Sequence, residues 1–317
     1  MNLEQIAKKL ENGKSIAVFS HIRPDGDTVG SALGVKLILE ALGKKVSLFC
    51  DGEIPAKFGE FGDITAFSTE CKEPYDIYLA VDCADENRLG ALSYVFSGKN
   101  DTVVIDHHVS NTRFAKLSYV EDCAATCELI FLLAQALGVK ITKAMANALL
   151  MGISTDSGHF AHNNVTDRTL KIAGELVEAG GEVHRIARKM FKSQSPTRAK
   201  LFAEVMGQMR FFHGGKVALI SVSTEQLNYY NAKQDITEGF IDFPLSVDGV
   251  EIAISTMQVG AKSFKVSFRS KGKSDVNRLA GVFGGGGHVM ASGCMLNGYQ
   301  EDVWDKLVFQ AGNYLED

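Results

Sequence analysis

Carboxylates and imidazoles stand at the ends of apolar runs in this 317-residue chain. The run 16–19 leads into His21-Ile22-Arg23-Pro24-Asp25-Gly26-Asp27, followed by Gly30-Ser31. The run 77–81 ends in Asp82, and 103–105 ends in Asp106-His107-His108. A helical run, 145–154, ends in Thr155-Asp156-Ser157-Gly158. Singly, each has a plain local explanation: Asp27 can cap the helix that follows it, and Pro24-Asp25-Gly26 can be a turn. Four such clusters on one rim are harder to explain locally, because gathered carboxylates repel unless a cation or proton compensates them. The pattern predicts a metal site. If the backbone stays extended, Asp25 and Asp27 point different ways, and the loop can serve two ions. Oxygen ligands with one or two imidazoles suit Mn²⁺ or Mg²⁺, whereas structural zinc would call for cysteine clusters that are missing here. Mn²⁺ is the first choice because histidine takes part, with Mg²⁺ or Co²⁺ as alternatives. Two such ions would activate a shared water and neutralise phosphate oxygens, the chemistry of phosphoester or phosphoanhydride hydrolysis.

To bring these residues together, the apolar runs must end at a common edge. The runs 16–19, 46–49, 77–81 and 103–105 alternate with helical patterns at 29–42, 123–137 and 145–154. Strands apolar on both faces, interleaved with helices, predict a parallel sheet flanked by helices, with sites beyond its C-terminal strand ends. The stripe 129–137 is core. A polar helical stretch follows at 195–209, then strand-like runs at 216–222, 251–257 and 263–269, a short helix and the run Gly284 to Gly287. Length and a 45% hydrophobic content suit two cores. The expected fold is therefore α/β: a parallel-sheet domain over 1–190, a helical linker over 191–212, a smaller α/β domain over 213–317, and an active site in the cleft between the domains.

Composition removes several classes. Six scattered cysteines without a signal peptide or a CxxC pair read as reduced thiols. No apolar run is long enough to span a bilayer, so no membrane partner and a cytoplasmic location are expected. A net charge of −5 argues against a long nucleic-acid track but not against a short phosphorylated ligand.

The motifs HIRPDGD with its following GS, AVDCAD, Asp106-His107-His108 and TDSGHF together resemble the DHH phosphoesterase family. The segment FRSKGKSDVNRLAGVFGGGGHVMASGC resembles the DHHA1 domain found with it. The matches run from His21 to Cys294, far more than a lone glycine motif. The resemblance implies one metal on His21, Asp25 and Asp82 and a second on Asp27, Asp82, His107 and Asp156, with Asp82 bridging. It leaves His108 outside the coordination shell, near the scissile phosphate, with Asp82 and His108 as the catalytic pair; orienting Asp106 or a metal ligand is the alternative role for His108. It makes Asp106 a supporting residue. Gly284, Gly285, Gly286 and Gly287 with His288 would cradle a phosphate, a tight turn being the alternative. Arg269 would grip a terminal phosphate, near Lys271, Lys273 and Arg278. His159 and His162 read as loop residues, and Arg23 as either a cleft residue or one with a helix-capping or salt-bridge role.

Length and domain arrangement resemble the compact nano-RNases that also dephosphorylate 3′-phosphoadenosine 5′-phosphate. The implied substrates are very short RNA oligonucleotides and small phosphorylated nucleotides. A soluble phosphodiesterase of cyclic or linear dinucleotides is the alternative enzyme, and a nucleotide-binding sensor the non-enzymatic one. The polarity of digestion is not set by the sequence, and a homodimer is compatible with it.

Overall fold

The computed structural model describes residues 2–72 and 74–315, so the outer domain limits at 1 and 317 lie outside the described residues. The chain divides into two compact units between Ser193 and Gln194. The first holds a six-stranded, wholly parallel sheet of β1 (Ser15–Ser20), β2 (Lys45–Cys50), β3 (Phe67–Ser68), β4 (Ile77–Val81), β5 (Thr102–Asp106) and β6 (Leu117–Val120). Their order is β3-β2-β1-β4-β5-β6. Alternate residues feed two cores. Ile16, Val18, Leu79, Val81, Val103 and Ile105 pack with the helices on one face, and Ala17, Phe19, Tyr78, Ala80 and Val104 pack with Leu89, Leu92 and Phe96 on the other. Each large apolar side chain contributes about 1.5–3 kcal/mol by leaving water, which is why these runs are apolar throughout. The strand order reverses between β1 and β4, and the crevice beyond that point is where α/β sheets place ligands.

Helices Gly26–Ala41 and Lys143–Asp156 pack almost backbone to backbone, because glycines line their contact. A Cβ at Gly30 would lie 2.5 Å from the Ala148 carbonyl oxygen, and one at Gly152 would lie 2.2 Å from Cys127 Sγ and 2.8 Å from Asp27 Oδ1. The close approach sets Asp27, in the first turn of one helix, near the C-terminal turn of the other, which ends in Asp156.

The second unit is a mixed sheet of β7 (Arg210–Phe212), β8 (Val217–Val222), β9 (Ile252–Gly260), β10 (Ser263–Ser270), β11 (Gly286–His288) and β12 (Ala291–Asn297), in the order β11-β12-β10-β9-β8-β7. Only β8 and β9 pair in parallel among the described residues. Ile252, Ile254, Phe264, Val266 and Phe268 pack on Leu279, Val303 and Leu307 of helices Val276–Val282 and Gln300–Gly312. The stretch anticipated as a linker contains the helix Pro196–Gly207. Its Leu201 and Val205, four residues apart, are buried against Ile220, Val222, Leu227 and Phe240. This apolar pair within a polar sequence joins the helix to the second unit. No helix among the described residues is long and apolar enough to cross a membrane.

Candidate metal centre

Three strand ends and two helices supply the side chains. His21 follows β1, Asp82 follows β4, and His107 and His108 follow β5. Asp25 is the N-cap of helix Gly26–Ala41, its Oδ1 accepting hydrogen bonds from the backbone N–H groups of Asp27 and Thr28, both at 3.1 Å. The cap anticipated for Asp27 thus belongs to Asp25. Asp25 still presents its second oxygen, Oδ2, 3.5 Å from His21 Nε2. Asp27 instead serves a distant helix: its oxygens accept the N–H groups of Thr126 at 2.6 Å and Cys127 at 2.9 Å. Helix Thr126–Ala136 has Ala125 at its N-cap and no side-chain cap of its own, so the buried Asp27 satisfies donors that would otherwise be orphaned.

Asp82 is nearly fully buried and has φ 55°, a left-handed conformation uncommon outside glycine. Its Oδ2 lies 3.5 Å from His21 Nε2, and its Oδ1 lies 3.6 Å from His107 Nε2. One carboxylate therefore sits between the two imidazoles. His107 Nε2 is also 3.3 Å from Asp156 Oδ2 and 3.9 Å from Asp27 Oδ2. Three groups of donor atoms result among the described residues, His21 with Asp25 and Asp82, Asp27 with His107 and Asp156, and Asp82 with His107 and His108, the atoms in each lying within 4.8 Å of one another.

The imidazoles are oriented from behind. His21 Nδ1 is 2.8 Å from the Ile22 carbonyl and His107 Nδ1 is 3.0 Å from the Cys123 carbonyl, so Nδ1–H donates and the Nε2 lone pair turns inward. Both Nε2 atoms are buried without a hydrogen-bond partner. A buried, unpartnered acceptor is costly, and a divalent cation would satisfy both together with the carboxylates. The donor set of carboxylate oxygens and neutral imidazoles fits such an ion.

Titration behaviour reflects the same unmet demand for positive charge. Burial works against a charged His21, yet the nearby carboxylates of Asp25 and Asp82 push it up to about 10. Burial likewise opposes His107, but Asp156, Asp27 and Asp82 raise it to about 11. Asp27 is raised well above the usual carboxylate range by burial and by the charges of Asp82 and Asp156. Asp156 is raised by burial despite the nearby imidazole of His107. Without a cation, protons are drawn in to neutralise the carboxylates.

His108 stands beside this cluster. Its Nδ1 donates to Asp106 Oδ1 at 2.7 Å and lies 3.8 Å from Asp82 Oδ1, leaving Nε2 as its free nitrogen. The Asp106 hydrogen bond outweighs burial and holds the imidazole above its ordinary value. Asp106 is fully buried, and Asn111 Nδ2 bonds its other oxygen at 2.6 Å and the Cys83 carbonyl at 2.9 Å. Sequence reasoning missed Asn111 and Thr126, whose Oγ1 donates to Asp82 Oδ1 at 2.9 Å. A signal for Thr126 exists: a helix whose N-cap is alanine needs an acceptor from elsewhere. Arg23 is exposed, with φ 57°, and His162 Nδ1 is 3.2 Å from the Asp156 carbonyl.

In the second unit, strand register brings Arg269 and His288 into one row. Arg269 and His288 both pair with Ala291 of β12, on its two sides. Directly opposed residues share a face, so the two side chains flank a small alanine across about 10 Å of sheet. The next row on that face, Ser267, Gly293 and Gly286, is small as well. The glycines differ from one another. Gly284 has φ 72° after helix Val276–Val282. A Cβ at Gly285 would meet the Gly293 carbonyl oxygen at 2.2 Å, and one at Gly287 would meet that of Ala291 at 2.5 Å. Gly286 alone of the four has both ordinary backbone and room for a side chain.

Residues 15–153 match the DHH family N-terminal domain, and residues 214–316 match the DHHA1 domain. The chain is 29% identical over 297 residues to the bifunctional oligoribonuclease and PAP phosphatase NrnA of Thermus thermophilus, covering 93% of this chain and 88% of that protein. It is 27% identical over 308 residues to the probable bifunctional oligoribonuclease and PAP phosphatase NrnA of Streptococcus mutans, covering 95% and 96% of the two. The crystal structure of an exopolyphosphatase-related protein from Bacteroides fragilis superposes with a TM-score of 0.88 at 26% identity, covering 98% of this chain and 96% of that one. This chain therefore carries a DHH family N-terminal domain followed by a DHHA1 domain, and its similarity to these proteins runs through both units.

Proposed function

We propose that this chain is a cytoplasmic, two-metal phosphohydrolase that degrades very short oligoribonucleotides to mononucleotides and converts 3′-phosphoadenosine 5′-phosphate to AMP. The observation that carries the chemistry is the pair of buried, unpartnered Nε2 atoms, on His21 and His107, facing four carboxylates. The substrate assignment is supported by near-full-length similarity to proteins named for those two activities. His21, Asp25 and Asp82 would hold one ion and Asp27, Asp82, His107 and Asp156 the other, Mn²⁺ by preference. Bound there, the ions supply Lewis acidity, lowering the pKa of a water and offsetting charge on the phosphate oxygens.

The protein's own groups do the rest. Thr126 and the helix end that Asp27 caps hold the carboxylates in place. His108, whose imidazole Asp106 orients and raises above its ordinary value, would donate a proton from Nε2 to the oxygen that leaves as the P–O bond breaks, while the water oxygen bonds to phosphorus and its released proton passes to solvent and restores the imidazolium. Arg269 and His288 bind a further phosphate oxygen of the substrate from the second unit, and the small row at Gly286 and Gly293 admits the nucleotide to the sheet.

Product analysis with Mn²⁺ tests this on pApA, a pentanucleotide RNA, an RNA of about two dozen nucleotides, cyclic di-AMP and 3′-phosphoadenosine 5′-phosphate. Mononucleotides from the two short RNAs and AMP from the phosphoadenosine compound are expected, with the long RNA much slower. Turnover confined to dinucleotides would make the chain a dinucleotide phosphodiesterase. Binding without turnover would make it a sensor.

A further inference from the structure

Helix Val183–Phe191 carries more positive charge than its packing uses. Ile186 and Ala187 are buried, and Glu60 anchors two of its cations, Arg185 at 2.7 Å and Lys189 at 3.1 Å. Arg188 and Lys192 are exposed and have no ionic partner among the described residues, and neither has His184 one turn earlier. Spaced four residues apart, the three follow one side of the helix at intervals of about 6 Å. A cavity of about 440 Å³ opens between this helix and Glu60, lined by His184, Arg185, Arg188, Lys189 and Ser193.

The last residue of that helix links it to the metal centre. The Phe191 ring is 43% exposed and lies 5.5 Å from the ring of His159. His159 follows Asp156 by three residues. Its backbone N–H donates to the Ser154 carbonyl at 2.7 Å, and its Nδ1 lies 2.9 Å from Ser154 Oγ. Gly158, His159 and Phe160 have φ of 56°, 57° and 65°, three left-handed residues in succession of which only the first is glycine. Such strain persists only where the surroundings hold it, and it gathers at ligand-binding segments.

Exposed aromatic rings continuous with unpaired cations are how proteins hold single-stranded nucleic acid, bases stacking on the rings and phosphates meeting the charges. We infer that the first unit carries a subsite for the RNA nucleotides beyond the one being cleaved, with His159 and Phe191 stacking a base and His184, Arg188 and Lys192 contacting the phosphates that follow. The inference rests on the short-RNA function proposed above and states where the additional nucleotides go. A patch this small on a chain of net charge −5 serves a few phosphates and no long track. The phosphoadenosine substrate, a single nucleotide, would not reach it.

The test uses full-length Arg188→Glu/Lys192→Glu and Phe191→Ala, with Phe191→Trp as the rescue of stacking. Steady-state kinetics on the pentanucleotide and on 3′-phosphoadenosine 5′-phosphate would be joined by fluorescence anisotropy of a labelled pentanucleotide in EDTA, where hydrolysis is blocked. The expected result is a KM for the pentanucleotide raised about tenfold by the double variant, with kcat/KM for the phosphoadenosine compound within about twofold. The salt dependence of pentanucleotide binding should become shallower by about 0.7 in log–log slope for every phosphate that the variant no longer neutralises. Phe191→Ala should raise the pentanucleotide KM, and Phe191→Trp should behave as wild type. Equal losses on both substrates, or unchanged pentanucleotide binding and KM in the double variant, would overturn the subsite. If the wild type turned over neither substrate, the proposed function would fail, and anisotropy would still decide the subsite on its own.

Discussion

The two units offer charged groups to a ligand in opposite ways. In the first, the ligating atoms are mostly buried, oriented from behind by backbone carbonyls and caps, and left without partners at Nε2 of His21 and His107. In the second, Arg269 and His288 stand across a row of small residues on a sheet face, with His288 and its glycine neighbours open to water. A buried cluster cannot satisfy itself with solvent, so its need for a cation can be read from the protein alone. An exposed row is solvated when empty and reveals its role only on binding.

The contrast sharpens under substitution. His108→Ala should lower kcat by roughly 10²- to 10⁴-fold, the usual worth of a positioned general acid, while Mn²⁺ binding is retained; equal loss of metal and activity would move His108 into the coordination shell. Arg269→Ala should act mainly on KM. Loss of one charge-assisted hydrogen-bonding group is worth roughly 1.5–3 kcal/mol, about 10- to 100-fold. A fall in kcat alone would contradict a role limited to binding.

Stability against pH should separate the units as well. His21, raised from 6.5 to about 10, contributes stability in full below pH 6.5 and loses it as the pH climbs to 10. The raised carboxyls of Asp27 and Asp156 work in the same direction from a lower starting pH. The metal-free protein should therefore lose Tm over that window. The rise in Tm on adding Mn²⁺ should be larger near pH 8.5 than near pH 6.5, because fewer protons compete for the ligands. At saturating Mn²⁺ it should be on the order of 10 °C. Thermal melts in EDTA and in Mn²⁺ check the sign, and a Mn²⁺ effect that shrinks with rising pH would contradict it.

The smallest effect concerns the glycines. Gly285→Ala forces a Cβ against a backbone oxygen and should cost about 1–3 kcal/mol in denaturant unfolding. Gly286→Ala should stay within about 0.5 kcal/mol of wild type and show itself in KM. Equal destabilisation would reduce the whole run to a turn.

Much of the first unit was legible because each strand that leads into the cluster is a buried apolar run, and the residues that follow it reach the cluster. The edge strands β3 and β6 were not: two residues give no periodicity, and the four of Leu117–Val120 are only half-buried. Asp27 was placed in the cluster by its motif, but its hydrogen bonds to Thr126 and Cys127 span 99 and 100 residues, beyond any local pattern. The strand pairing of Gly286–His288 was equally hidden, since glycine announces a turn before a strand. The packing of Phe191 on His159 follows from tertiary structure alone.

The measurement closest to the central claim is the Mn²⁺ content of the wild type and of Asp82→Ala, by equilibrium dialysis and elemental analysis, with melts to confirm folding. Two ions per wild-type chain, falling below one in the folded variant because its carboxylate lies between both imidazoles, is the expected result. A wild type that binds no Mn²⁺, or a folded variant that keeps both ions, would contradict a two-metal centre bridged by Asp82.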